Sequence, residues 1–280
     1  MLGQTLYREL GAREELTVFG TSRNPRVKDV DGDDPSRASL FHGVTAENFD
    51  SLVSAVASAE PDVLINCIGL IKQFRLASDP LAAIPINALL PHRLAELCRA
   101  TRTRLIHFST DCVFSGNKGN YKEDDVPDAA DLYGRTKLIG EVAGQHALTI
   151  RTSFIGHELQ SSVSLIDWFL SQSGPVKGYA SAIYSGLPTV EMARILAEFV
   201  IPNSGLNGLY HVSSRPISKL DLLKLVARQY GKTIEIIPDS GVKIDRSLDS
   251  TRFTSATGYN APSWDELVAS MHRDYMSICR

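Results

Sequence analysis

The chain has no Cys-x-x-Cys pair, no long apolar run and no cluster of basic residues, and each absence removes a class of function. Its four cysteines, Cys67, Cys98, Cys112 and Cys279, stand far apart. Neither zinc ligation nor a disulfide framework is therefore expected, and they read as reduced thiols of a cytoplasmic protein. No stretch approaches the roughly 18 apolar residues that span a bilayer, and the start shows no basic-then-apolar secretion pattern. Lysine and arginine number 29 against 32 aspartates and glutamates, a net charge of −3. They are dispersed along the chain, which argues against nucleic acid or a membrane surface as partner. No internal repeat or low-complexity linker appears.

What is present suits an enzyme with a substantial core. The 280 residues are 43% apolar, enough for one main domain and a smaller lobe. Short continuous apolar runs at 16–20, 63–68, 105–109 and 148–151 read as strands buried on both faces of a parallel sheet. Between them, 49–59 and 86–100 carry helical spacing, the second with Leu89, Leu90, Leu94 and Leu97 on one stripe. Strands alternating with helices of this length predict an α/β fold built on a doubly wound, Rossmann-type parallel sheet. After residue 152 the pattern loosens into helices near 164–171, 189–200, 218–230 and 264–276, with short strands at 208–212 and 234–237.

The most informative local feature is Tyr133-Gly134-Arg135-Thr136-Lys137. A phenol and an ammonium four residues apart share one helix face, a turn from each other. A nearby cation favours the phenolate, so the spacing predicts a tyrosine whose pKa falls below its usual value of about 10. Such a phenol can donate a proton to a carbonyl under reduction. Upstream, Leu105-Ile106-His107-Phe108-Ser109-Thr110-Asp111 is an apolar strand ending in two hydroxyls.

A strand ending in Ser/Thr followed by a helical Tyr-x-x-x-Lys resembles the extended short-chain dehydrogenase/reductase family. Within it, the chain is similar to the dTDP-4-dehydrorhamnose reductase branch. Three ordered segments carry the likeness: Ser109-Thr110-Asp111-Cys112-Val113-Phe114-Ser115-Gly116, then Tyr121-Lys122-Glu123-Asp124-Asp125-Val126-Pro127, then Tyr133 through Glu141. The resemblance implies NADPH-dependent reduction of a nucleotide-linked 4-keto-6-deoxy sugar, as in dTDP-rhamnose and polysaccharide biosynthesis, with NADH possible as the reductant. It also implies a cofactor domain over 1–152 and a mainly substrate-binding, smaller α/β lobe over 153–280, some segments of which return to the first domain. The partner is a nucleotide-diphosphate sugar, and a homodimer is compatible with this reading.

The resemblance assigns Thr110, Tyr133 and Lys137 to catalysis. Tyr133 gives a proton to the substrate oxygen, Thr110 hydrogen-bonds that oxygen, and Lys137 holds the cofactor ribose. Ser109 can share the hydroxyl role and lies beside the cofactor. Val113 and Phe114 are expected to line the pocket next to the sugar. Asp245-Arg246-Ser247-Leu248-Asp249 resembles a late substrate-side segment, in which Arg246 either clamps a diphosphate or is a solvated loop charge. Cys67, Ile68 and Gly69 are expected along the cofactor, Gly69 permitting a close backbone pass. Asn87 is read either as a relay residue or as a helix-start Asn.

Two regions bear on the cofactor. Strand 16–20 runs into Thr21-Ser22-Arg23 and not into the Asp or Glu that would face a ribose diol. Ser22 and Arg23 suit a 2′-phosphate, which favours NADPH. The opening Met1-Leu2-Gly3 resembles the close of a glycine-rich phosphate turn, placing Leu2 and Gly3 at the pyrophosphate. That alignment leaves no residues for the strand that normally precedes the turn, and predicts a gap in the sheet beside 16–20 or 63–68.

Cys112 replaces the tyrosine of the family's Ser-Thr-Asp-Tyr. The related GDP-fucose synthases carry an epimerising cysteine there, and His157 falls near their histidine. A bifunctional epimerase/reductase is thus one alternative, and a buried apolar thiol is the other reading of Cys112. A further alternative is a non-catalytic regulatory subunit that binds the nucleotide sugar or cofactor. The segment 70–83, with Lys72, Gln73, Phe74 and Arg75, is basic; it is read either as a diphosphate contact or as a surface excursion.

Overall fold

The computed structural model describes residues 1–24, 38–72, 75–158 and 163–278. Gln73 and Phe74 lie outside the described residues, as does the side chain of Arg75.

The first half runs α1 (Leu2–Gly11), β1 (Val18–Ser22), β2 (Ala38–His42), α2 (Phe49–Ala59), β3 (Val63–Asn66), α3 (Pro80–Ala83), α4 (Leu90–Thr101), β4 (Arg104–Thr110), α5 (Leu132–Ile139) and β5 (Ala147–Thr152). The second half runs β6 (Phe154–Ile155), α6 (Leu165–Ser171), β7 (Val176–Tyr179), β8 (Ala182–Tyr184), β9 (Leu187–Pro188), α7 (Thr189–Ile195), β10 (Gly208–His211), β11 (Ile217–Ser218), α8 (Lys219–Gln229), β12 (Ile236–Asp239), β13 (Ile244–Asp245), α9 (Thr251–Thr257) and α10 (Trp264–Ile278).

The parallel sheet has two parts. One is β1 paired with β2, and the other has the order β10-β5-β4-β3. All pairings within both are parallel, with Ile106 opposite Leu148 and Thr110 opposite Thr152. Between β1 and β3 no pairing occurs among the described residues.

The alternation of side chains along β4 and β5 sorts the core into two layers. Ile106, Phe108, Leu148 and Ile150 face a large cluster shared with Leu6, Met192, Val226 and Leu267. Leu105 and Ala147 face the other way, onto Leu52, Leu90, Leu94 and Cys98. Helices thus cover both faces, which is why β4 and β5 are buried almost throughout, polar residues included. The short strands of the second half form small separate pairings, with β8 between β11 and β13, and β7 beside β12.

Local chemistry explains most boundaries. Helix α2 stops at Glu60 (φ 43°) and α4 at Arg102 (φ 59°), both left-handed caps. The helix expected from residue 86 begins earlier. Asp79 caps Pro80–Ala83 by accepting from the Leu81 amide at 2.9 Å. A π-helical turn over Ile84–Leu89 then leads into α4. Pro85 and Pro91 lack the amide protons of regular helical hydrogen bonds, consistent with the widened turn. Asn87 therefore sits inside a π-turn and does not start the helix. Within segment 70–83, Arg75–Ser78 form a 3-10 turn.

Candidate active site

Strand β4 ends at Thr110, whose hydroxyl accepts from the Cys112 amide at 3.1 Å and donates to Asp111 Oδ1 at 3.1 Å. This small cap turns the chain into a 3-10 turn over Asp111–Val113. Across from it, Asp131 caps α5 by accepting from the Gly134 amide at 2.8 Å. A Cβ on Gly134 would lie 2.3 Å from the Cys112 carbonyl oxygen. Only glycine lets α5 approach this closely, and the approach sets Tyr133 beside Thr110. One turn on, buried Lys137 donates from Nζ to the Phe108 carbonyl at 2.7 Å. Thr110, Tyr133 and Lys137 thus meet at the C-terminal end of β4, where open α/β sheets hold their ligands.

The electrostatics correct one expectation. The phenol of Tyr133 has its pKa raised, not lowered: burial is the main cause and Cys112 adds to it, against a hydrogen bond with Thr110 that works the other way. Lys137 does not figure among these causes. Its own pKa falls to about 8, because burial disfavours the ammonium more than Glu141 favours it. The site therefore holds Tyr133 as a protonated donor.

Several proposed cofactor residues come together. A Cβ on Gly3 would lie 3.4 Å from Cys67 Cβ, so the start of α1 abuts the end of β3. Leu2 and Cys67 pack, half-buried, on the same core, and burial pushes the Cys67 thiol up to about 12. Asn66 Oδ1 accepts from the Ile68 amide at 3.0 Å and sets the turn out of β3. A Cβ on Gly69 would be 3.5 Å from Asn87 Oδ1 and 4.0 Å from Lys137 Nζ. Asn87 in turn holds Leu70, accepting from its amide at 2.9 Å and donating to its carbonyl at 3.1 Å. Ser22 closes β1, and exposed Arg23 follows it. The first turn of α1 has no side-chain cap and no acidic residue, leaving its amides suited to a diphosphate. These groups fit a dinucleotide.

Other expectations need correction. Ser109 Oγ donates to Glu141 Oε1 at 2.6 Å. Its hydroxyl belongs to a buried chain in which Arg151 binds both Glu141 oxygens, at 2.7 and 2.8 Å, and lies 3.3 Å from His211 Nε2. Alternation along β4 turns Ser109 to the face opposite Thr110, so it does not share the catalytic hydroxyl role. Val113 and Phe114 do not line a pocket. Both are fully buried, and Phe114 stacks on Tyr121 with centroids 4.1 Å apart. Arg246 is no solvated loop charge. Its Nε donates to the Phe114 carbonyl at 2.8 Å, and its field reaches Asp111 and Cys112.

The Cys112–His157 pair does not form. His157 bridges Asp167 at 2.5 Å and Tyr230 at 2.7 Å through its two ring nitrogens. The Cys112 thiol is pushed up to about 12, mainly by burial, and His157 is not among the groups acting on it. Lys72, from the basic segment, binds Asp131 at 2.6 Å and so fastens that segment to the cap of α5.

Glu141, Arg151, His211 and Lys219 were not singled out from sequence. Glu141 closes the Gly-Glu of the third matching segment, a signal that was available. The others show their partners only through contacts distant in sequence.

Known proteins similar to this chain come from several groups. "Probable low-salt glycan biosynthesis reductase Agl14" of Haloferax volcanii is 25% identical, over 88% of this chain and 89% of that protein. The dTDP-4-dehydrorhamnose reductase of Mycolicibacterium smegmatis is 28% identical, over 65% of this chain and 58% of its own. Methionine adenosyltransferase 2 subunit beta of Mus musculus is 29% identical, over 51% of this chain and 39% of that protein. Among solved structures, a dTDP-4-dehydrorhamnose reductase from Bacillus anthracis in complex with NADP superposes with a TM-score of 0.75 at 19% identity, covering 92% of this chain and 98% of that one. That likeness establishes the Rossmann-type fold. The family model described as the RmlD substrate binding domain matches residues 1–276, and the chain belongs to that family.

Proposed function

We propose that this chain reduces the ketone of a nucleotide-linked 4-keto-6-deoxy sugar with NADPH, in nucleotide-sugar biosynthesis. One observation carries the reading: a phenol held protonated at Tyr133, hydrogen-bonded with Thr110, with Lys137 one turn behind it. Bound NADPH supplies the hydride. As charge grows on the substrate oxygen, Tyr133 donates its proton and the Thr110 hydroxyl hydrogen-bonds the same oxygen. Lys137 orients the cofactor ribose, with Gly69 leaving room for it and Asn87 holding the adjoining backbone. Leu2, Gly3, Cys67 and Ile68 would border the cofactor, Ser22 and Arg23 would receive its 2′-phosphate, and Arg246 would meet the substrate near the turn after Thr110. We divide the chain near residue 152 into a cofactor part and a mainly substrate-binding part. No helix among the described residues is long and apolar enough to cross a membrane, and we place the protein in the cytoplasm.

The likeness to methionine adenosyltransferase 2 subunit beta supports a second reading, in which the pocket binds its ligand without turnover. An assay separates the two. NADPH consumption with a nucleotide 4-keto sugar is expected, and Tyr133→Phe should lower turnover by about 10²-fold or more while the melting temperature holds. Binding of NADPH with no turnover in the unmodified protein would instead favour the regulatory reading.

A further inference from the structure

Lys219 is the first residue of α8. A cation there opposes the helix dipole, which favours negative charge at an N-terminus. Its side chain is half-buried, with the ammonium 4.4 Å from the centroid of the Tyr184 ring. That cation–π contact offsets part of the burial cost but leaves the three N–H donors unanswered. No hydrogen bond or ion pair to Lys219 occurs among the described residues, whereas Lys177 nearby is paired with Asp239 at 3.0 Å. Within the fold its charge is offset by the Tyr184 ring and the field of Asp111, and no hydrogen-bond acceptor meets it among the described residues.

Lys219 lines a hollow of about 440 Å³ together with Leu165, Trp168, Tyr179 and Leu223. Trp168 and Tyr179 are 38% and 37% exposed, so aromatic surface stands open on the wall. The acidic groups that act on Lys219 are the Asp111 carboxyl and the Cys112 thiol, the two residues after Thr110, and of these the thiol is held protonated by burial. Arg246 reaches the same pair. Lys219 therefore borders an aromatic-walled hollow and is coupled electrostatically to the turn that follows Thr110.

We propose that Lys219 holds an oxyanion of the substrate, a phosphate or carboxylate oxygen, between this hollow and the Thr110–Tyr133 pair. The identity of the substrate rests on the reductase reading, but the binding does not require turnover. An ammonium meeting such an anion out of water forms charge-assisted hydrogen bonds. Two sources fit this chemistry, the diphosphate of the nucleotide and an acidic group on the sugar.

Calorimetry on the full chain tests the assignment with four probes: thymidine, thymidine diphosphate, UDP-glucose and UDP-glucuronate. Lys219→Met should weaken thymidine diphosphate by about tenfold or more and leave thymidine unchanged, with Lys219→Arg restoring affinity. Loss confined to UDP-glucuronate would place the anion on the sugar and still uphold the proposal. The Met variant should melt no lower than the parent, because it removes a buried charge without a hydrogen-bonded partner, so weakened binding could not be put down to unfolding. Equal affinities of parent and Met variant for every probe would overturn it. Binding of no probe by the parent protein would overturn both this proposal and the substrate reading. Unchanged turnover in Tyr133→Phe would sink only the catalytic reading.

Discussion

Lys137 Nζ donates to the carbonyl oxygen of Phe108 at 2.7 Å, tying α5 to the strand that ends in Thr110. The bond fixes α5 against that strand through a charged group in a buried place. That position sets the titration of Lys137.

With a folded pKa of about 8 against an unfolded value near 10.4, Lys137 binds fewer protons folded than unfolded between those pH values. The unfolded state then holds the excess proton, so stability attributable to this residue rises as pH climbs from about 8 to about 10.4. Below about pH 8 both states are charged and the contribution is flat. Thermal or urea unfolding of the protein and its Lys137→Met variant should show their stability difference moving in favour of the unmodified protein across that window. A difference that stays constant from pH 7 to 10 would mean that Lys137 is not held in this low-dielectric position.

Glu141 and Arg151 form a buried pair with side chains only 13% and 4% exposed. Replacing Glu141 by Gln removes one charge and leaves the guanidinium uncompensated, an imbalance that costs about 3–5 kcal/mol when a buried pair is broken. Chemical denaturation should report a loss of that order. Ser109 also loses its carboxylate partner. A change below 1 kcal/mol would show that water reaches the pair.

Arg23 stands exposed after β1, where a 2′-phosphate would lie. Arg23→Ala should narrow the preference for NADPH over NADH by about 1–3 kcal/mol, the worth of a charge-assisted hydrogen bond. The ratio of kcat/KM for the two cofactors measures it. An unaltered ratio would remove Arg23 from the cofactor site.

Local periodicity carries the strands, the helices and the shared face of Tyr133 and Lys137. Four residues on a helix return to the same side whatever surrounds them, and an apolar run between helical stretches has few homes but a parallel sheet. Motif spacing likewise set Thr110 at a strand end. The partners of these groups depended on the tertiary fold. Ser109 looks like a second catalytic hydroxyl until Glu141, 32 positions on, claims it. Phe114 reads as a pocket wall until Tyr121 and His211 enclose it. Tyr133 reads as a phenol tuned downward until burial, which no spacing encodes, raises it instead. Lys219 carried no signal at all, because its meaning lies in the burial of its ammonium and in Asp111, more than a hundred residues away. Local geometry follows from chain chirality and hydrogen-bonding period, whereas burial and charge pairing follow from which distant segments pack together.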